Sequence, residues 1–190
     1  NAYVSGLGSS KRVVLWDTLL NRMNDDEVLF VFGHELGHYA LGHVWKGIVL
    51  GVIALAFALW ILSYLLTWAL ARWGALWGVF GHGDWAALAV LLLLGSIVSF
   101  AATPVANGVS RYFEHQADVF GLEVIHGVVQ NAPQVAARAD QILGEEDLEE
   151  PNPSAFTVFW FYTHPPIARR LEFSLHYNPW GEGRSPEFVK

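Results

Sequence analysis

From Gly47 to Leu70 the chain carries no charged side chain over 24 residues. As a helix rising about 1.5 Å per residue, such a stretch exceeds a hydrocarbon core of roughly 30 Å. A second apolar stretch, from Trp85 to Ala106, is interrupted only by small polar residues and by Pro104 near its end. Between them lies a short segment with Arg72, Trp73, Trp77, His82, Asp84 and Trp85, and tryptophans at the ends of apolar spans suit the headgroup boundary. The reading is a transmembrane helical hairpin over residues 47–106. The competing reading is a pair of buried core helices in a soluble protein with a greasy insertion. A chain of 190 residues is too small to wrap both helices with other elements.

Composition points the same way. Apolar residues make up 53% and charged residues 15%, against about 25% charged in ordinary soluble domains, and mean hydropathy is +0.32. A formal charge of −7 with only 11 Lys and Arg offers no phosphate-binding surface, so nucleic acid is excluded as an expected partner. With no cysteine, a metal would have to be held by imidazole and carboxylate. Lys46 and Arg111 flank the apolar hairpin, with Lys11, Arg12 and Arg22 nearby in sequence, while the connecting segment has Arg72 alone. That bias predicts an integral, multi-pass membrane protein whose flanking segments face the cytoplasm. The chain opens at Asn1 without an initiator Met or an apolar signal segment, which suggests a fragment or processed chain.

Outside the hairpin, residues 1–4 and 12–16 are β-prone runs joined by a Gly/Ser-rich loop, and they predict a β-hairpin. Asn24 followed three residues later by Glu27, ahead of the apolar run Val28–Phe32, predicts a capped helix start. Further helices are expected from Arg111 to Ile125 and after Pro133. The acidic run at Glu145, Glu146, Asp147, Glu149 and Glu150 reads as a solvated loop with no assigned chemistry.

The helix entered at Asn24 carries Gly33-His34-Glu35-Leu36-Gly37-His38, an HExxH pattern. It sets two imidazoles one turn apart on one face, where both can reach one ion. Glu35, rotated about a hundred degrees away, can address a water on the open fourth position. A later pair, Glu114 and Asp118, is again four residues apart. Glu114 can supply a third ligand and Asp118 could accept the remaining ring N–H of a ligand histidine, although such pairs often lie on a solvated face. A third histidine six residues after His38 would be needed for the metzincin pattern; Val44 stands there and His43 falls one short, so His43 is not read as a ligand. His115 lies about a hundred degrees around the helix from Glu114 and reads as a local polar contact.

The opening Asn1-Ala2-Tyr3, the HELGH run from His34 to His38, the spacing of Glu114 and Asp118, and Thr163-His164-Pro165-Pro166 with Arg170 together resemble the membrane gluzincin peptidases that include HtpX and the CAAX prenyl protease. The resemblance implies one Zn2+ held by His34, His38 and Glu114, with Asp118 supporting a motif histidine. It further implies that Asn1, Ala2 and Tyr3 form the edge where a polypeptide substrate pairs, that His164 helps bind the substrate carbonyl or its developing oxyanion, and that Arg170 lies at the site. The expected architecture is a mainly helical α+β zincin-like protease unit with a small β-hairpin or sheet, built from residues 1–46 and 107–190 and interrupted by the transmembrane hairpin of residues 47–106. The expected function is a zinc-dependent endopeptidase acting on membrane or lipidated proteins at the bilayer. The alternative is a non-catalytic zinc-bound membrane scaffold or adaptor.

Overall fold

The charge-free stretches fold as two long helices. A computed structural model describes residues 2–6 and 12–189, in the order β1 (Ala2–Ser5), β2 (Arg12–Leu15), α1 (Asp17–Arg22), α2 (Asp25–Ala40), α3 (His43–Trp77), α4 (Ala87–Ile125), α5 (Ala132–Glu146), α6 (Ala155–Phe161) and α7 (Ile167–His176). The chain is thus mostly helical with one small two-stranded antiparallel sheet, in which Ala2 pairs with Leu15 and Tyr3 with Val14. It divides into a unit of residues 1–44 and 107–190 and a unit of residues 45–106.

Within the unit of residues 45–106, α3 and α4 each contain an 18-residue stretch long and apolar enough to cross a membrane. None of that stretch of α3 and 6% of that of α4 is buried. An apolar surface left this exposed suits hydrocarbon better than water. Helix α3 stops because Gly78 takes φ +69°, letting Val79 N–H reach back to the Gly74 carbonyl at 2.9 Å and Gly78 N–H to that of Ala75 at 3.4 Å. Gly74 is needed there, since a Cβ would lie 2.5 Å from the Val79 carbonyl oxygen.

Two boundaries differ from the sequence reading. The apolar stretch that ends at Ala106 and the helix expected from Arg111 are one element: α4 is continuous through Pro104 to Ile125. Proline removes one hydrogen bond, which a long helix tolerates when nothing else halts it. Helix α5 runs into the acidic segment as far as Glu146, where Arg22 pairs with Glu146 at 2.5 Å and Glu145 at 3.8 Å.

In the other unit, Asn24 caps α2 as expected: its side chain accepts from Glu27 N–H at 3.0 Å and the Glu27 carboxylate accepts from Asn24 N–H at 2.9 Å. Glu27 is buried in this exchange. The core beneath α2 gathers Leu19, Phe30, Leu122, Ile125, Ala136 and Ala139. Burying an aromatic side chain such as Phe30 is worth about 1.5–3 kcal/mol.

Helix α2 meets the last turns of α4 at glycines. A Cβ on Gly33 would lie 3.2 Å from Gly121 Cα, and one on Gly121 would lie 3.0 Å from the His34 backbone nitrogen. Glycines allow this approach without crowding, and it carries the HExxH face of α2 onto the face of α4 that bears Glu114 and Asp118.

Candidate functional site

On that shared face His34, His38 and Glu114 each offer one ligand atom, and these atoms all lie within 4.8 Å of one another. His34 Nε2 stands 3.2 Å from His38 Nε2 and 3.3 Å from Glu114 Oε2, and His38 Nε2 stands 3.6 Å from Glu114 Oε1. Around an ion bound at about 2.0–2.1 Å in tetrahedral geometry, neighbouring donors are about 3.3 Å apart. The imidazole pair, and each imidazole with its nearer Glu114 oxygen (Oε2 for His34, Oε1 for His38), lie near such an edge, so the cluster could hold a metal ion.

Behind His34, Asp118 accepts from Nδ1 at 2.8 Å, leaving Nε2 to face the cluster. Asp118 is itself held by Arg170, whose Nε and Nη2 donate to its two oxygens at 3.0 and 2.6 Å. Arg170 Nη2 also lies 2.9 Å from Asp140 Oδ1, and Ser174 Oγ lies 3.5 Å from Asp140 Oδ2. Asp118, Asp140 and Ser174 are buried. Burial by itself would push the His34 imidazole down, but its hydrogen bonds with Asp118 and then Glu114 prevail and raise it to about 10. Burial pushes Asp140 up, against the attraction of Arg170 and with the repulsion of Asp118, to about 7.

A cavity of about 540 Å³ opens over the cluster, lined among others by Ala2, Tyr3, His34, Glu35, His38, Glu114, His164 and Arg170. His164 Nε2 lies 3.4 Å from Glu114 Oε2, its Nδ1 lies 3.0 Å from Thr163 Oγ1, and half of its side chain is exposed. The structure therefore brings together every site residue anticipated from the sequence except Asn1, which lies outside the described residues; Asp118 stands behind His34 and accepts its ring N–H, as the spacing suggested. His115 packs edge-on against Phe173.

Residues not anticipated hold the chain that leads to His164. Asn107 donates to the Trp160 carbonyl at 2.8 Å, and Arg111 donates to those of Val158 at 3.0 Å and Tyr162 at 2.5 Å. These contacts take up the last carbonyls of α6 and fix the chain just ahead of His164. Asp147 and Glu149, from the acidic run, also line the cavity. Asp140 had a readable signal: an acidic residue on the buried face of α5 with Ala136 and Ala139. Asn107 and Arg111 had none, because their partners lie about fifty residues away.

The sequence profile of Peptidase family M48 matches residues 1–177. The chain belongs to this family. Among M48 relatives, the uncharacterized metalloprotease YhfN of Bacillus subtilis (strain 168) is 37% identical over 90% of this chain and 39% of its own length. A CAAX prenyl protease 1 homolog of Arabidopsis thaliana is 32% identical over 90% of this chain and 39% of its own. A Protease HtpX homolog of Desulforapulum autotrophicum is 27% identical over the whole chain and 64% of its own length. The chain thus spans about two fifths of the first two relatives. The crystal structure of S. mikatae Ste24p shares the fold, with a TM-score of 0.66 and 24% identity over 92% of this chain and 41% of that one.

Proposed function

We propose that this M48 chain is the catalytic part of a zinc-dependent, membrane-embedded endopeptidase with a zincin-like site. The observation that carries the reading is the convergence of His34, His38 and Glu114, whose ligand atoms lie within 4.8 Å of one another, with Glu35 on the wall of the same cavity. Two imidazoles and a carboxylate with an open side suit a catalytic zinc, which when bound polarises a carbonyl and lowers the pKa of water. Glu35 takes the proton of the attacking water and passes it to the leaving amine. His164, half exposed beside Glu114, donates Nε2–H to the carbonyl oxygen as negative charge develops there.

Strand β1 lies at the edge of the sheet, and Ala2 and Tyr3 line the cavity. An extended substrate lies along this strand by β-augmentation, with Asn1 proposed to help bind it. Arg170 borders the groove while steadying Asp118. The protease unit is assembled from residues 1–46 and 107–190, and residues 47–106 cross the bilayer as a hairpin, so the protein is multi-pass. The Lys and Arg flanking the hairpin support a cytoplasmic side for the protease segments. The relatives named as a CAAX prenyl protease homolog and an HtpX homolog support a membrane-associated or lipidated polypeptide as substrate.

The deciding experiment compares purified protein with Glu35→Gln. The variant is expected to keep one zinc per chain and to lose cleavage of an unstructured polypeptide by about 10²–10⁴-fold. Undiminished, chelator-sensitive cleavage by the variant would reject the assignment, and zinc without cleavage in the parent protein would favour the scaffold reading. The same variant in its native membrane serves as a trap for the natural substrate.

A further inference from the structure

We propose that His43 and Gln116 form a neutral relay that fixes the hydrogen-bond direction of His38 and keeps its Nε2 free for the metal. The inference rests on the zinc site proposed above and concerns residues outside the ligand set.

The two ends of the relay agree on its direction. Gln116 presents Oε1 to His43 Nε2 at 3.2 Å and Nε2 to Tyr112 Oη, also at 3.2 Å, the amide orientation required when His38 binds a metal through Nε2 and donates from Nδ1. An amide oxygen only accepts, which requires the His43 proton to sit on Nε2. His43 Nδ1 is then a bare lone pair, and it faces His38 Nδ1 at 3.2 Å. A lone pair there requires the His38 proton on Nδ1. His38 Nε2 is left unprotonated, facing His34 Nε2 and Glu114.

The relay is held firmly. His43 is buried and stacks on Phe113, with ring centroids 4.4 Å apart and planes 7° from parallel. Phe113 and Gln116 belong to the turn of α4 that carries Glu114, so the element that supplies the third ligand also orients the second. Gly42, at φ +69°, makes the sharp break between α2 and α3 that folds His43 back over His38. The two ligand histidines are thereby oriented in different ways: His34 by the carboxylate of Asp118, and His38 by an uncharged histidine and amide. The second arrangement fixes a ring without adding another buried negative charge to a site that already has Glu114 and Asp118.

The test measures zinc affinity of the full chain in detergent by competition with a chromophoric chelator, alongside selective 15N-histidine NMR of the zinc-loaded protein. His43→Phe keeps the stack on Phe113 and removes the acceptor; it is expected to bind zinc about 10–100-fold more weakly. Gln116→Glu keeps an acceptor facing His43 and is expected to hold or tighten the affinity. The NMR spectrum of the parent is expected to place the His38 proton on Nδ1 with Nε2 on the metal. Zinc affinity of His43→Phe within about twofold of the parent, or a His38 proton on Nε2, would overturn the inference while leaving the zinc site standing. A parent protein that binds no zinc would overturn both. Should His43→Phe not fold, Gln116→Leu decides: weakened binding supports the relay and parental affinity overturns it.

Discussion

Replacing Gly121 with alanine puts one methyl group against the backbone of His34. Its Cβ would stand 3.0 Å from His34 N, 3.3 Å from His34 Cα and 3.1 Å from Phe30 Cε2. Ordinary contacts begin near 3.4 Å, so the backbone of α2 must give by a few tenths of an ångström. A backbone cannot rotate aside as a flexible side chain can. Alanine gains about 1 kcal/mol of helix propensity over glycine, while overpacking costs about 1–3 kcal/mol. The net expectation is a loss of about 0–2 kcal/mol in stability. The metal site is less forgiving, because ligand distances tolerate only about 0.2 Å of displacement. Zinc affinity, read by chelator competition, is expected to fall about 10–100-fold. Gly108→Ala is the control on the same helix: its Cβ would meet only Arg111 Nη2, at 3.8 Å, and its affinity is expected to be unchanged. Parental zinc affinity in Gly121→Ala would refute the claim that glycine contact between the helices sets the ligand spacing.

Two further outcomes are expected. Asn24→Ala removes the capping exchange with Glu27 and is expected to cost about 1 kcal/mol in denaturation measurements, with zinc content unchanged. Asp140 is raised from 3.8 to about 7 by burial. A carboxyl raised on folding favours the fold in its neutral form, so its contribution is full below about pH 4 and is lost as pH rises through about 7. The melting temperature of the parent is therefore expected to decline relative to Asp140→Asn across that interval; a constant difference between the two would contradict the assignment.

Much of this was legible from residue types at short range. Absence of charge revealed the apolar helices, Asn24 and Glu27 revealed the start of α2, and four-residue spacing paired His34 with His38 and Glu114 with Asp118. Each is a local pattern whose physics acts within a turn or a single element. What escaped was set by distant partners. Asp140 matters through Arg170, thirty residues on, and His43 through Gln116, 73 residues on. Spacing excludes His43 from the metzincin position without suggesting the contact with His38 that the turn at Gly42 creates. The continuity of α4 through Pro104 escaped because a proline in sequence looks the same whether its neighbours sustain the helix or not.

The central claim is that one zinc ion is shared by His34 and His38 of α2 and Glu114 of α4. Zinc K-edge X-ray absorption on the purified chain tests it most directly. One ion per chain is expected, with two imidazole nitrogens and a carboxylate oxygen at about 2.0–2.2 Å, and with the carboxylate contribution lost in Glu114→Ala. A first shell left unchanged by Glu114→Ala would contradict it.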